Sequence, residues 1–317
     1  MPDAQPAQRP IASIADVCDV ALVRGAAAAD HAAPSLLVEI PHGATRAVHF
    51  ATLRARLRGP FPDDLDAFFF VNTDVGAPEV AVRLAERIVA AAPHATALVV
   101  RCLIPRTFID CNRVIDAATR PAASAAGSMT PGVASYVHDA ADFGVLFERY
   151  SAYRDVATRA HELVCGTGGT AVQMHSYAPR SIDVPVDEKI VERLRAAYEP
   201  GVVGTWPLRA EVDLISRTPD GTRVADGALV ARIQASLDRA GIRHAESEAY
   251  ALHPSTLGAA FAARWPRRTI CIEMRRDLLV REFTPFQEME IDPAKADRMA
   301  AAFAEALLPS LANVPAG

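Results

Sequence analysis

The segment of the chain that most restricts its fold is residues 36–45, LLVEIPHGAT. The apolar residues at its start run directly into Pro41, His42 and Gly43, a pattern that predicts a buried strand ending in a tight turn. In open α/β sheets the loops diverge at the carboxyl ends of the strands and leave a crevice in which ligands bind. His42 is therefore predicted to lie where such a sheet places its chemistry.

Other strand-like and helical segments alternate along the rest of the chain. Strands are predicted at 35–40, 66–71, 96–103, 170–174, 211–216 and 269–274, and helices at 50–57, 78–91, 136–164, 187–198, 228–240 and 293–311. A short helix outside the sheet is predicted within 11–28, and 117–132 is predicted to be a surface loop that could act as a lid. This order is typical of a three-layer α/β/α domain with a central mixed, mostly parallel sheet. We predict one such domain at 11–317, after a loose tail at 1–10.

Composition excludes several classes of function. Of the 317 residues half are hydrophobic and 22% are charged, as in ordinary globular proteins, and the formal net charge of −5 provides no basic surface for nucleic acid. No apolar run approaches the roughly 20 residues that a membrane-spanning helix needs. The beginning of the sequence lacks the pattern of a secretory signal, so a cytoplasmic location is expected. The five cysteines form no CxxC pair, which indicates reduced thiols.

Two histidines share one local pattern. His42 and His175 each follow an apolar strand and precede a small residue. Two neutral imidazoles and one carboxylate leave an open position on a tetrahedral ion, which is the arrangement of catalytic zinc. Asp74, predicted to follow a strand and precede a helix, is the expected carboxylate, with Glu79 as the alternative. A helix-capping role for Asp74 is also open.

Glu273 is a carboxylate within the apolar run ICIEMRRDLL. Because an unpaired buried carboxylate is costly, this residue is expected to face a metal-bound water or an arginine. Beside a metal it could accept the proton of a water molecule and return it to a leaving amine. The alternative is a structural ion pair with Arg275 or Arg276.

Donors for an anion are concentrated in the run RTFIDCNR. Arginine binds carboxylates through paired hydrogen bonds and asparagine adds another donor, so Arg106, Asn112 and Arg113 are predicted to bind an anion, which implies a small-molecule substrate with free carboxylates. Asp110 could hold one of these arginines, and a surface ion-pair network is the alternative. Further predicted substrate contacts are Ser176, beside His175, and His253, in a loop that could close over the site.

Five segments, in chain order, resemble motifs of the N-formylglutamate amidohydrolase family: IPHGAT, NTDVGAPEVA, RTFIDCNR, VQMHSYAPR and ICIEMRR. The resemblance implies a fold similar to that of zinc-dependent carboxypeptidases and hydrolysis of an N-formyl amino acid. In that wider group an Asn-Arg pair binds the substrate carboxylate and a glutamate of a late strand is the general base, which corresponds here to Asn112, Arg113 and Glu273. Carboxypeptidases carry a metal-binding glutamate three residues after the first histidine. Thr45 stands at that position here.

The residues and the resemblance together predict a zinc-dependent hydrolase, in which His42, Asp74 and His175 would hold the ion and Arg106 would stabilise the oxyanion. Its expected substrate is a small N-acyl amino acid, with N-formyl-L-glutamate, cleaved to formate and L-glutamate, as the leading candidate. A zinc-dependent peptidase or deacylase acting on another N-acyl or peptidyl substrate is the first alternative. A non-catalytic carboxylate-binding protein that retains the arginines is the second. No oligomeric state is predicted.

Overall fold

A seven-stranded sheet forms the centre of the computed structural model, which describes residues 11–311. The predicted tail at 1–10 lies outside the described residues. The strands are β1 (Cys18–Arg24), β2 (Leu36–Ile40), β3 (Thr96–Cys102), β4 (Thr170–Tyr177), β5 (Val212–Ile215), β6 (His244–Glu246) and β7 (Thr269–Arg275). Their order in the sheet is β1-β3-β2-β4-β7-β5-β6.

The sheet is mixed but parallel at its centre. The neighbours β3, β2, β4 and β7 all run parallel, whereas β1 pairs antiparallel with β3 and β5 pairs antiparallel with β7. Every residue of β2 and β4 is buried, as expected for strands covered on both faces. The carboxyl ends of β2, β4 and β7 therefore meet at one edge of the sheet.

Helices cover both faces and complete the predicted three layers. They are α1 (Ala47–Arg54), α2 (Leu65–Asn72), α3 (Ala77–Ala91), α4 (Ala140–Cys165), α5 (Ile190–Ala197), α6 (Pro200–Val203), α7 (Gly227–Arg239), α8 (Leu257–Arg264) and α9 (Pro293–Leu311). The helices α3, α7 and α9 share one apolar core with the sheet, and α4 and α8 share the other, together with α1, α2 and α5. No described helix combines the length and the apolar character that crossing a membrane requires.

Strand alternation decides which side chains reach the functional edge. In β4, Val172 and Met174 belong to the core beneath α3, so Gln173 and His175 point to the opposite face, towards α4 and α8. The same alternation applies to the other central strands. It places Glu39 of β2 and Glu273 of β7 on the face that carries His175.

Two predicted segments adopt a different structure. The range 11–28, expected to contain a helix, holds the edge strand β1, whose partial exposure explains its mixed composition. The range 66–71, expected to be a strand, lies within helix α2, in which five residues are buried. A short apolar run buried on most sides has no periodicity that distinguishes helix from strand. Strand β6 and helix α8 were not predicted, and β4 continues through His175 to Tyr177.

Helix α3 offers a matched test of the core. Leu84 is fully buried against the sheet, whereas Val82 on the same helix is 43% exposed. We expect Leu84→Ala to lower the free energy of unfolding by about 2–5 kcal/mol, because it removes buried methyl groups and leaves a cavity. Val82→Ala should change it by less than about 0.5 kcal/mol. Urea denaturation of both variants checks this, and equal losses would contradict the described packing.

Candidate functional site

The three predicted metal ligands come together from three separate parts of the chain. His42 lies in the turn after β2, Asp74 between α2 and α3, and His175 near the end of β4. One ligand atom of each lies within 4.8 Å of the others, and all three residues are buried. The Asp74 Oδ2 atom is 2.9 Å from His175 Nδ1 and 3.3 Å from His42 Nδ1. This group could bind a metal ion.

Local backbone structure explains how Asp74 reaches the histidines. The residue follows helix α2, not a strand as predicted, and its peptide N–H donates to the carbonyl of His42 over 3.4 Å. Helix α3 begins after Gly76, so Asp74 does not cap it with its side chain. Gly76 has a φ of +86°, and a Cβ there would lie 2.6 Å from Cβ of Leu279. Only glycine fits this turn, which directs Asp74 into the site.

Glu79, the alternative carboxylate, is not part of this group. It lies in the first turn of α3, where its Oε1 is 3.6 Å from Arg46 NH2 and its side chain is 25% exposed. The structure thus brings Asp74 to the two histidines.

Asp110 connects the histidine group to the anion-binding run. Its Oδ1 lies 2.7 Å from His42 Nε2 and accepts from the peptide N–H of Asn112, and its Oδ2 accepts from Arg106 over 3.0 Å. The contact with Arg106 agrees with the prediction that Asp110 holds an arginine. The contact with His42 was missed because it joins loops that the sequence places 68 residues apart.

Electrostatics favours charged forms of this cluster. Burial alone would raise the pKa of Asp74, but His42 and His175 hold that pKa below its ordinary value. The pKa of Asp110 is well below its usual range because Arg106 and His42 outweigh its burial. Burial and Arg106 act to lower the pKa of His42, yet Asp110 and Asp74 raise it overall. Both carboxylates are therefore ionised at neutral pH.

Glu273 lies beside His175, because the two are register partners on β7 and β4. Its Oε2 atom is shielded from solvent and has no hydrogen-bond partner among the described residues. Burial raises the pKa of Glu273 to about 7 and the negative charge of Asp74 adds to this rise, although the neighbouring His175, Arg209 and Arg106 act to lower the pKa. A carboxyl group in this state can both take up and release a proton near neutral pH.

The ion pair considered for Glu273 is absent from the described contacts. Arg275 NH2 instead lies 2.7 Å from Asp277 Oδ2. Arg276 donates to the carbonyl of Ser176 over 3.0 Å and lies 3.7 Å from Asp74 Oδ1. These contacts leave Glu273 unpaired within the part of the chain that the structure describes.

The residues predicted to bind an anion surround Asp110 and are largely shielded from solvent. The side chains of Arg106 and Arg113 are 20% and 13% exposed, so the alternative of a surface ion-pair network does not describe them. Arg113 Nε lies 3.7 Å from Asp110 Oδ2 and donates to the carbonyl of Thr130 over 3.1 Å. The Nε of Arg106 is buried without a hydrogen-bond partner among residues 11–311. Two guanidinium groups share one carboxylate here, which leaves net positive charge.

The two remaining predicted contacts occupy different positions. The Ser176 side chain points to the face opposite His175, and its Oγ donates to the carbonyl of Val75 over 2.8 Å. This bond supports the loop before α3. His253 Nδ1 lies 2.8 Å from Ser255 Oγ, in a turn that meets the main chain of Arg113 through an Arg113–Thr256 bridge. His253 is thus close to the anion-binding run in the fold.

Sequence reasoning also missed a cation near the site. The Arg209 guanidinium lies over the rings of Tyr177 and Tyr250, 5.0 Å and 5.2 Å from their centroids, and its charge acts on Glu273. No motif surrounds Arg209 in the sequence, so only the fold reveals it.

Comparison with known proteins gives the fold. No protein-family model matches the chain, and no curated protein matches it in sequence. Its structure is similar to the crystal structure of N-formylglutamate amidohydrolase from Ralstonia eutropha JMP134, with a TM-score of 0.51 and 19% identity, over 93% of this chain and 98% of that chain. It is also similar to the gene product Atu2144 from Agrobacterium tumefaciens, with a TM-score of 0.50 and 18% identity, over 93% and 95% of the two chains. The chain thus has the α/β fold of an N-formylglutamate amidohydrolase, as its motifs predicted.

Proposed function

We propose that this protein is a metal-dependent hydrolase that cleaves the amide bond of a small N-acyl amino acid. One observation carries the proposal: two buried polar atoms that have no partner within residues 11–311, Glu273 Oε2 and Arg106 Nε, accompany the His42–Asp74–His175 group. A buried polar atom without a hydrogen bond costs about 1–3 kcal/mol, and a ligand bound beside the histidine group would supply the missing partners of these two atoms.

The residues present fit a divalent metal ion. Two imidazoles and one carboxylate are a donor set that suits zinc and leaves one tetrahedral position open. The contact of Asp110 with His42 Nε2 leaves Nδ1 facing Asp74, and metal-binding histidines are commonly held in this way by a second carboxylate. When bound, zinc would polarise the scissile carbonyl and lower the pKa of a water molecule towards neutrality.

In the proposed reaction, Glu273 moves the proton. Its carboxylate accepts a proton from the attacking water, whose oxygen forms a bond to the acyl carbon. The C–N bond then breaks, and Glu273 returns the proton to the leaving amine. The pKa of about 7 suits both steps, because neither the acid nor the base form is strongly disfavoured at neutral pH.

The arginine-rich run would orient the substrate. The free Nε–H of Arg106 can donate to the oxyanion that develops on the acyl oxygen. Asn112 and Arg113 would hold a carboxylate of the substrate, which fixes the amide relative to Glu273. These roles and the fold support N-formyl-L-glutamate as the leading candidate substrate, with formate and L-glutamate as products.

The metal ligands can be tested with a matched pair of variants. We expect about one zinc ion per purified chain, and a loss of most of it in Asp74→Asn, because one of three protein ligands is removed. Glu79→Gln should retain the metal, since Glu79 lies outside the histidine group. Elemental analysis measures the stoichiometry. Carboxylate binding by a metal-free wild-type protein would instead favour the non-catalytic alternative.

The general base is tested by Glu273→Gln. This change should lower kcat by about 10²–10⁴-fold, because the amide cannot take up the proton of water. Zinc content and affinity for L-glutamate should remain, since the side chain keeps its shape. Steady-state kinetics with metal analysis provide the measurement. A Glu273→Gln variant with the wild-type rate would show that Glu273 is not the general base.

The acyl group is tested with a series of substrates that share the glutamate part. N-formyl-, N-acetyl- and peptidyl-L-glutamate separate a deformylase from the deacylase or peptidase that the sequence also allows. We expect the highest kcat/KM for the formyl compound. A preference for acetyl or peptidyl substrates would support the proposed amide hydrolysis but would contradict the proposed N-formyl substrate.

A further inference from the structure

A row of buried polar side chains lies on the same face of the sheet as His175. Glu39 of β2, Gln173 of β4 and Cys271 of β7 are neighbours across the strands, since each pairs in register with the next. Glu39 and Gln173 are 1% and 0% exposed. The proposed reaction uses none of the three, yet burying polar groups is costly without a structural or functional gain.

The hydrogen bonds in this row have a defined direction. Gln173 Nε2 donates to Glu39 Oε2 over 3.1 Å and to Asn112 Oδ1 over 3.3 Å. On the other side, Cys271 Sγ donates to Gln173 Oε1 over 3.1 Å. The opposite orientation of the Gln173 amide would place its oxygen against an acceptor carboxylate. Glu39 therefore decides which end of the Gln173 amide faces Asn112.

Asn112 receives a second donor from helix α8. Its Oδ1 accepts from the peptide N–H of Gly258 over 3.3 Å, and its carbonyl accepts from the peptide N–H of Leu257 over 2.9 Å. A peptide N–H can only donate, so the side-chain atom that faces Gly258 and Gln173 is the oxygen. The two donors of Asn112 Nδ2 are consequently turned away from the buried row.

Close packing holds Gln173 in place. A Cβ atom at Gly258 would lie 2.3 Å from Gln173 Oε1 and 3.2 Å from its Cδ. The absence of a side chain at Gly258 lets the backbone of α8 approach the Gln173 amide directly. Contact with the helix thus fixes the position of this amide, and Glu39 fixes its orientation.

We propose that Gln173, oriented by Glu39, is a positioning residue that turns the Asn112 amide so that Nδ2 donates to the carboxylate of the substrate. This inference rests on the proposed function, in which Asn112 and Arg113 bind that carboxylate. Gln173 itself touches no substrate and acts through Asn112.

Exchange of the two buried residues separates positioning from stability. Gln173→Glu places two carboxylates in contact, which should lower the melting temperature, and gives Asn112 Nδ2 an acceptor inside the protein. In the double variant Glu39→Gln/Gln173→Glu, one amide again faces one carboxylate, so the melting temperature should recover. Residue 173 nevertheless remains an acceptor. Asn112 Oδ1 then faces a carboxylate, and the peptide N–H of Gly258 is its remaining described donor, so the Asn112 amide should no longer be held firmly with Nδ2 towards the substrate.

Both variants should bind carboxylate more weakly than the wild type. We expect the Kd for L-glutamate, measured by calorimetry, to rise about tenfold or more, as for loss of one hydrogen bond to a charged group. The KM for N-formyl-L-glutamate should rise with it, whereas kcat should fall much less. A double variant with wild-type stability and wild-type affinity would overturn the inference.

Tyr153→Phe is the matched control within the same buried network. The Tyr153 hydroxyl donates to Glu39 Oε1 over 2.7 Å and makes no hydrogen bond with Gln173 among the described residues. Its removal should lower the melting temperature and leave the Kd for L-glutamate unchanged. A rise in Kd that follows stability in every variant would reduce Gln173 to a structural residue.

The wild-type protein provides a test that needs no stable variant of Gln173. The side-chain NH₂ resonance of Asn112, assigned by its loss in Asn112→Asp, should shift when L-glutamate is added. Binding of L-glutamate without such a shift would overturn the inference and leave the hydrolase proposal intact. A wild-type protein that neither binds L-glutamate nor hydrolyses N-acyl substrates would instead contradict the proposed function.

Discussion

The parallel pairing of β2, β4 and β7 is the constraint on which the candidate site depends. It brings the carboxyl ends of three buried strands to one edge, so that the turn after β2 lies beside His175 and Glu273. Side chains alternate across each strand, and a shift in register by one residue would send them to the opposite layer. The chemistry of the site is therefore fixed by the same hydrogen bonds that hold the sheet together.

The ionised carboxylates of the site are paired although little water reaches them. Asp74 and Asp110 carry negative charge between two imidazoles and several guanidinium groups, including those of Arg106 and Arg276. Removing charges from water is unfavourable unless they are paired and hydrogen-bonded, and each of these carboxylates has such partners. Glu273 is the exception: its Oε2 has no hydrogen-bond partner among the described residues, and burial raises its pKa.

The sequence predicted the layers of the fold, the central strands and the long helices, because continuous apolar runs and helical spacing are strong local signals. It also predicted that His42, Asp74 and His175 would meet. Converging parallel strand ends explain this for the two histidines, whereas Asp74 follows helix α2 instead of the strand that was expected there. It did not predict the edge strand β1 or the helix α2. Partial exposure obscures the hydrophobic periodicity of β1, and burial on most sides obscures that of α2. The contacts of Asp110 with His42 and of Gln173 with Asn112 depend on long-range packing, which no local pattern encodes.

Asp110 links the histidine group to the arginine-rich run RTFIDCNR, the two halves of the candidate site. One carboxylate contacts the imidazole of His42 and also accepts hydrogen bonds from Arg106 and from the peptide of Asn112. A ligand that changes the charge on one side alters how strongly Asp110 holds the other, and thermodynamic linkage makes this effect reciprocal. Ligand binding on the histidine side and on the arginine side would thus be coupled equilibria, joined through a single shared side chain.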